Sequence, residues 1–138
     1  MISRPNILSM PRVVISEDAR SADLAALALA FSEIVQLPVT MRSAKFPGVR
    51  VEKGKVLDDE YSGPVLEEAL ATGRSIRTTP KEGAYRGIPV SVAPIMIEGR
   101  AVAAVGIVDV MGTIEIPEVF GAYEAVIKQV SGKAPAKK

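Results

Sequence analysis

The spacing of apolar and polar positions changes several times along the chain, and each change marks a predicted element. Residues 1–15 hold Pro5, Pro11 and a short apolar run, Val13-Val14-Ile15, and read as an N-terminal arm or a short edge strand. Ser16 then offers a helix N-cap, with Glu17, Asp18 and Asp23 near the positive end of the helix dipole. Leu24, Leu27, Ala28, Phe31 and Val35 follow with the spacing of one helical face, and Pro38 stops the helix. The other side carries Ala25, Ala26, Leu29 and Ala30, so the helix is apolar nearly all round. A helix of that kind lies deep in a fold or packs against a second copy.

Beyond Pro38 the pattern becomes strand-like. Two runs, 39–45 and 49–57, flank a Phe46-Pro47-Gly48 turn, and Lys53-Gly54 marks a bend or a hairpin within the second. Pro64 suits the first position of a second helix, whose face is Val65, Leu66, Ala69 and Leu70 and whose end is Gly73. A polar strand over 75–79 leads into a loop from Pro80 to Gly87. The strongest strand signal is the pair 88–97 and 101–110 around Glu98-Gly99-Arg100. Both strands are apolar or small on both faces, which predicts a central hairpin covered on each side. Pro89 and Pro94 point to an edge or a bulge in its first strand. Pro117 opens a last helix with Val119, Phe120, Tyr123, Val126, Ile127 and Val130 as its buried stripe, ended by Ser131-Gly132. The order is helix, two strands, helix, three strands, helix. The expected class is therefore α+β, one antiparallel sheet of about five strands flanked by helices, with residues 16–132 as a single domain and 133–138 as a disordered basic tail.

Composition narrows the chemistry. The 138 residues contain no His, no Cys and no Trp. That excludes imidazole bases, Cys nucleophiles, disulfides, Cys/His zinc sites, His- or Cys-ligated haem and thioether-linked chromophores. Ser91, on the central hairpin, has no His to activate it and reads as a small packed residue or a ligand contact. The net charge of +1 hides a basic tail (Lys133, Lys137, Lys138) on a slightly acidic body. Such a balance points away from nucleic acid. No apolar run reaches the ~18 residues of a membrane span, and the first residues lack the pattern of a signal peptide, so a cytoplasmic protein is expected.

Three places could carry chemistry. Asp58-Asp59-Glu60 offers hard oxygen ligands to a divalent cation, or is a solvated turn before Pro64. Arg74, Arg77, Lys81 and Arg86, interleaved with Thr78, Thr79 and Tyr85, could hold a carboxylate or phosphate, or simply solvate an exposed loop. Asp109 interrupts an apolar strand and is either a buried carboxylate or a turn residue before Met111-Gly112. Met41, Met96 and Met111 could line a pliable pocket or fill a core. Phe31, Ala26 and Ala30 could form a helix seam between two copies.

The segments Glu68 to Ile76, Gly87 to Ile95 and Gly99 to Asp109 together resemble the second half of a GAF or PAS sensory domain. In those domains a helix ends in a Thr-Gly turn, and a strand with a Pro-Ile or Pro-Leu pair precedes a glycine hairpin and a Val-Gly-Ile strand. The element order is similar to that of roadblock and profilin-like folds as well, often dimeric interaction modules. The whole chain also resembles a family of conserved proteins from methanogenic archaea, a resemblance that supplies no activity. What these imply is a non-enzymatic sensory domain that binds a small anionic metabolite between the sheet and the Pro80 to Gly87 loop. Arg74, Arg77, Thr79, Tyr85, Arg86 and Asp109 are the expected ligand contacts, and a homodimer through the first helix and the sheet is the expected assembly. No cofactor, metal, nucleic-acid partner or membrane is expected. The alternative is a roadblock-like interaction module without a pocket; an enzyme comes third, because no paired acid–base constellation is visible.

Overall fold

The computed structural model describes residues 10–108. The expected last helix, Asp109, Met111 and the basic tail lie outside the described residues. Within them the elements run α1 (Ser21–Val35), β1 (Val39–Ser43), β2 (Gly48–Glu52), β3 (Lys55–Tyr61), α2 (Pro64–Thr72), β4 (Ile76–Thr78), β5 (Val90–Ile97) and β6 (Arg100–Val108). The strands form one antiparallel sheet of six in the order β3-β2-β1-β6-β5-β4. The α+β class holds, with six strands where about five were expected. The extra strand comes from Lys53-Gly54, both in the left-handed region (φ 52 and 76), which closes a two-residue hairpin and folds 55–61 back on β2. Glu98 and Gly99 (φ 52 and 78) make the same turn between β5 and β6, so Arg100 is already a strand residue.

Local differences have local causes. Ser16 does not cap α1; its hydroxyl donates to Asp18 (2.7 Å) and its carbonyl accepts from Ala19 N–H (3.2 Å), making a turn of its own. The helix begins five residues later, where the Arg20 N–H donates to the Asp23 carboxylate at 2.9 Å. Gln36, left-handed at φ 58, ends it before Pro38. Asp58, Asp59 and Glu60 are not a turn but part of β3, the edge strand, where charge discourages pairing with another chain. Pro94 lies where β5 has already outrun β4, which pairs only with Val90 to Val92, and a register shift follows at Ile95/Met96. The β5–β6 hairpin is not covered to its tip, since Met96 and Ile97 are exposed.

Strand alternation assigns the two faces. Val39 and Met41 point one way with Val49 and Val51, and all four are fully buried beneath α1, whose Leu24 and Ala28 are at 0% exposure. Burying a Leu of this kind contributes roughly 2 kcal/mol. Thr40, Gly106, Val92 and Ala104 point the other way, and that face is covered by α2 through Val65, Leu66 and Ala69. The helices are therefore diagonal: α1 packs on β1, β2 and β3, and α2 on β4, β5 and β6 from the opposite side. At the start of α2, Arg42 donates from β1 to Ser62 Oγ (2.7 Å), and Ser62 donates to Glu67 (2.6 Å).

Close backbone approach fixes Gly48. A Cβ there would sit 1.8 Å from the Met41 carbonyl oxygen and 2.7 Å from Arg42 Cα, both backbone. Gly54, by contrast, has open space around it and only its positive φ to defend. Gly48→Ala is expected to cost about 3 kcal/mol or more, beyond the usual overpacking penalty because the obstacle cannot rotate away. Gly54→Ala should cost about 1 kcal/mol. Urea unfolding midpoints of the two variants check the order.

Candidate ligand site

The sheet face under α2 holds a small apolar cavity, and its walls come from three places. Thr40 and Gly106 form the floor, where the missing side chain matters: a Cβ on Gly106 would meet Val92 Cγ2 at 2.9 Å and Thr40 Oγ1 at 3.0 Å. Pro64, Val65 and Leu66 at the start of α2 make one wall. The loop from Pro80 to Gly87 makes the roof through Pro80, Glu82 and Tyr85. The space is about 30 Å³, room for roughly one water molecule and too small for a metabolite while the roof is down.

The roof is a loop closed on itself. Gly87 N–H donates to the Pro80 carbonyl at 2.9 Å, and Gly83 and Gly87 (φ 90 and 81) supply the two left-handed turns this closure needs. Only Pro80 and Tyr85 of these eight residues are buried. Tyr85 lays its ring in the core with Tyr61, Val65 and Val90, and its hydroxyl donates to Glu52 Oε2 on β2 at 2.8 Å. Arg50 meets the same oxygen at 3.1 Å and stands 5.7 Å from the Tyr85 ring. Its Nε is buried and has no hydrogen-bond partner among the described residues. The loop is thus pinned across the sheet by one aromatic side chain and one charge-assisted bond. Burial, and then the bond to Glu52, hold the Tyr85 hydroxyl well above the ordinary tyrosine range, so it stays a donor.

The expected ligand contacts are not gathered at this place. Tyr85 lines the cavity. Thr79 is exposed in an adjoining depression that shares Pro64, Val65, Pro80 and Glu82 with the cavity but opens beside Glu68 and Lys81. Arg77 is on β4, and its register with Ser91 and, through it, Ile107 and Val39 puts it on the opposite face of the sheet. Arg74, just after α2, and Arg86, at the outer rim of the loop, are exposed and line none of these depressions. Asp109 lies outside the described residues. Glu52 and Arg50, which anchor the roof, were not singled out in the sequence. Their only signal is an Arg-x-Glu pair on alternate strand positions, too common to mark a site. Among the described residues no group of three acidic side chains is placed to hold a metal ion, and no helix is long and apolar enough to cross a membrane.

Removing the Tyr85 hydroxyl should cost about 1–2 kcal/mol, the contribution of a hydrogen bond to a charged acceptor at a partly open site. The stabilisation it gives is complete below the ordinary tyrosine value of 10.0 and is lost as pH rises beyond it, because the unfolded chain ionises first. The melting temperature is therefore expected to hold up to about pH 10 and to fall progressively above it, with a shallower fall in Tyr85→Phe. Tyr61, also raised by burial, supplies part of what remains.

Residues 31–111 match the family described as "Uncharacterized protein conserved in archaea (DUF2111)". The chain is 44% identical over 99 residues to "Uncharacterized protein MJ0405" of Methanocaldococcus jannaschii, covering 71% of this chain and 76% of that protein. No solved structure matches it.

Proposed function

This chain belongs to the DUF2111 family of proteins conserved in archaea, and we propose that it is a non-enzymatic binding domain that takes a small molecule beneath the Pro80 to Gly87 loop. One observation carries this reading: an apolar cavity on the sheet is roofed by a self-closed loop that is held down by Tyr85 and its bond to Glu52. Lifting Tyr85 adds the volume of its ring to the cavity without breaking a strand pair. The occupant favoured by these walls has an apolar body of about ring size. Lys81 and Arg86, exposed on the loop, favour an anionic group at its outer end through attraction at a distance. The resemblance of residues 68–109 to GAF and PAS domains supports a sensory role in the same direction. The absence of His and Cys from the sequence supports binding over catalysis.

A set of small aromatic carboxylates and their neutral analogues, screened by thermal shift, tests it. Ligand at about a hundred times its dissociation constant stabilises by about 2.7 kcal/mol, several degrees for a chain of this size. Tyr85→Ala should bind ring-sized compounds more tightly, because the plug is gone. Gly106→Ala, which raises the floor, should bind them at least tenfold more weakly. Equal affinity in all three proteins would place the ligand elsewhere.

A second reading, an interaction module that pairs with its own copy, draws on α1. Ile34 is 76% exposed, and Phe31 and Val35 beside it are exposed as well. Two such flanks brought together about a twofold axis would remove them from water. Sedimentation at micromolar concentration is expected to show a dimer that Ile34→Glu dissociates.

A further inference from the structure

The apolar cavity ends inward on a charged pair. Thr40 of the floor lies opposite Arg50 in the β1–β2 register, and Glu52 is two residues further along β2, so both belong to the cavity's face of the sheet. Each of these side chains is 26% exposed, and an ion pair sheltered to that degree is costly to leave with unmet hydrogen-bond partners. One partner arrives from the loop: the Tyr85 hydroxyl donates to Glu52 Oε2 at 2.8 Å, the oxygen that Arg50 meets at 3.1 Å. Arg50 Nε, buried, still lacks an acceptor among the described residues. The inner end of the cavity therefore needs a proton donor for Glu52 and has a free N–H on Arg50. A hydroxyl group answers both, because it carries one proton and two lone pairs.

Resting on the reading that a small molecule displaces Tyr85, we propose that the site takes hydroxylated aromatic rings, whose neutral hydroxyl replaces that of Tyr85 between Glu52 and Arg50. An acidic substituent, where the ligand has one, then faces outward toward Lys81 and Arg86. A ring without the hydroxyl lifts Tyr85 and leaves Glu52 without its donor, and a site built to bond a hydroxyl rejects the analogue that lacks it. A carboxylate or phenolate at the inner end has no proton for Glu52 and meets its like charge. An ammonium has no lone pair for Arg50 and meets its like charge instead. The other titratable groups nearby strengthen the exclusion of an anion: Asp58 on β3 lies opposite Arg50, Tyr61 stands beside both, and Glu82 lines the roof. Burial and the Glu52 carboxylate, which keep the Tyr85 hydroxyl protonated, act in the same way on a ligand hydroxyl in its place.

In the full wild-type chain, titration calorimetry compares 4-hydroxyphenylacetate, which carries the ring, hydroxyl and methylene of a Tyr side chain, with phenylacetate, which lacks only the hydroxyl. The first is expected to bind at least about tenfold more tightly. That preference should shrink at least about threefold in Glu52→Gln, which keeps an acceptor oxygen but loses the charge. A second measurement needs no variant and decides the matter should Glu52→Gln fail to fold. 4-Nitrophenol is colourless as the phenol and yellow as the phenolate, so at a pH near its own ionisation its colour should fade when the wild-type chain is added, because the neutral form enters. Equal affinity for the two acids, a preference unchanged in Glu52→Gln, or colour that does not fade would overturn this inference while a ligand beneath the loop stands. Binding of neither acid would remove the site itself, and this inference with it.

Discussion

The pairing of β1 with β6 is the constraint on which the rest depends. Every other strand contact joins neighbours in the sequence through a turn or a short connection, whereas Val39 to Ser43 meet residues sixty or more positions away, Ile107 to Ala103. Without that seam the chain is two separate three-stranded sheets, each with one helix on one side. The seam also sets which residues share a face. It places Thr40 against Gly106, and the absent side chain at 106 opens the floor of the cavity. Such a contact carries a larger loop-closure cost than the hairpins and is made worthwhile by the buried rows on both sides of it.

Diagonal placement of the helices follows from the same parity. α1 belongs to the first half and lies over its strands; α2 belongs to the second half and lies over the other face. Each helix leaves part of its own face bare, and the two bare regions are treated differently. The one under the Pro80 to Gly87 loop is filled by a polar-tipped aromatic, Tyr85, which reaches across to Glu52. The one beyond α1 stays open within the described residues.

Tyr85 is the side chain on which the closure of the loop rests. Its ring completes the cluster around Val65 and Val90, so the loop gains a reason to stay down. Its hydroxyl finds a carboxylate already held by Arg50, so the buried oxygen is satisfied. The closure is a small number of strong contacts rather than a continuous interface, and the proposed function rests on a roof of that kind being exchanged for a ligand of similar shape. A loop packed along its whole length could not.

Local signals were enough for most elements. The Pro64 start and Gly73 end of α2 were legible because each residue has a backbone reason to be there. The hairpin around Glu98-Gly99 was legible for the same reason, and that at Lys53-Gly54 was visible as a bend or hairpin, though not as the boundary of a sixth strand. The first helix was recognised from its period but begins late, because residues 16–19 close a turn of their own, with Ala19 N–H donating to the Ser16 carbonyl. The candidate site was legible in only one residue, Tyr85. Arg77 and Thr79 stand close to it in sequence, but strand parity sends the one to the opposite face, and loop direction sends the other to the depression adjoining the cavity. By itself the sequence determined where the chain turns and which stretches must be buried, since turn geometry and apolar period act within a few residues. Only the tertiary structure decided which face each half presents, because that depends on the register of β1 against β6, a contact that no short stretch of sequence contains.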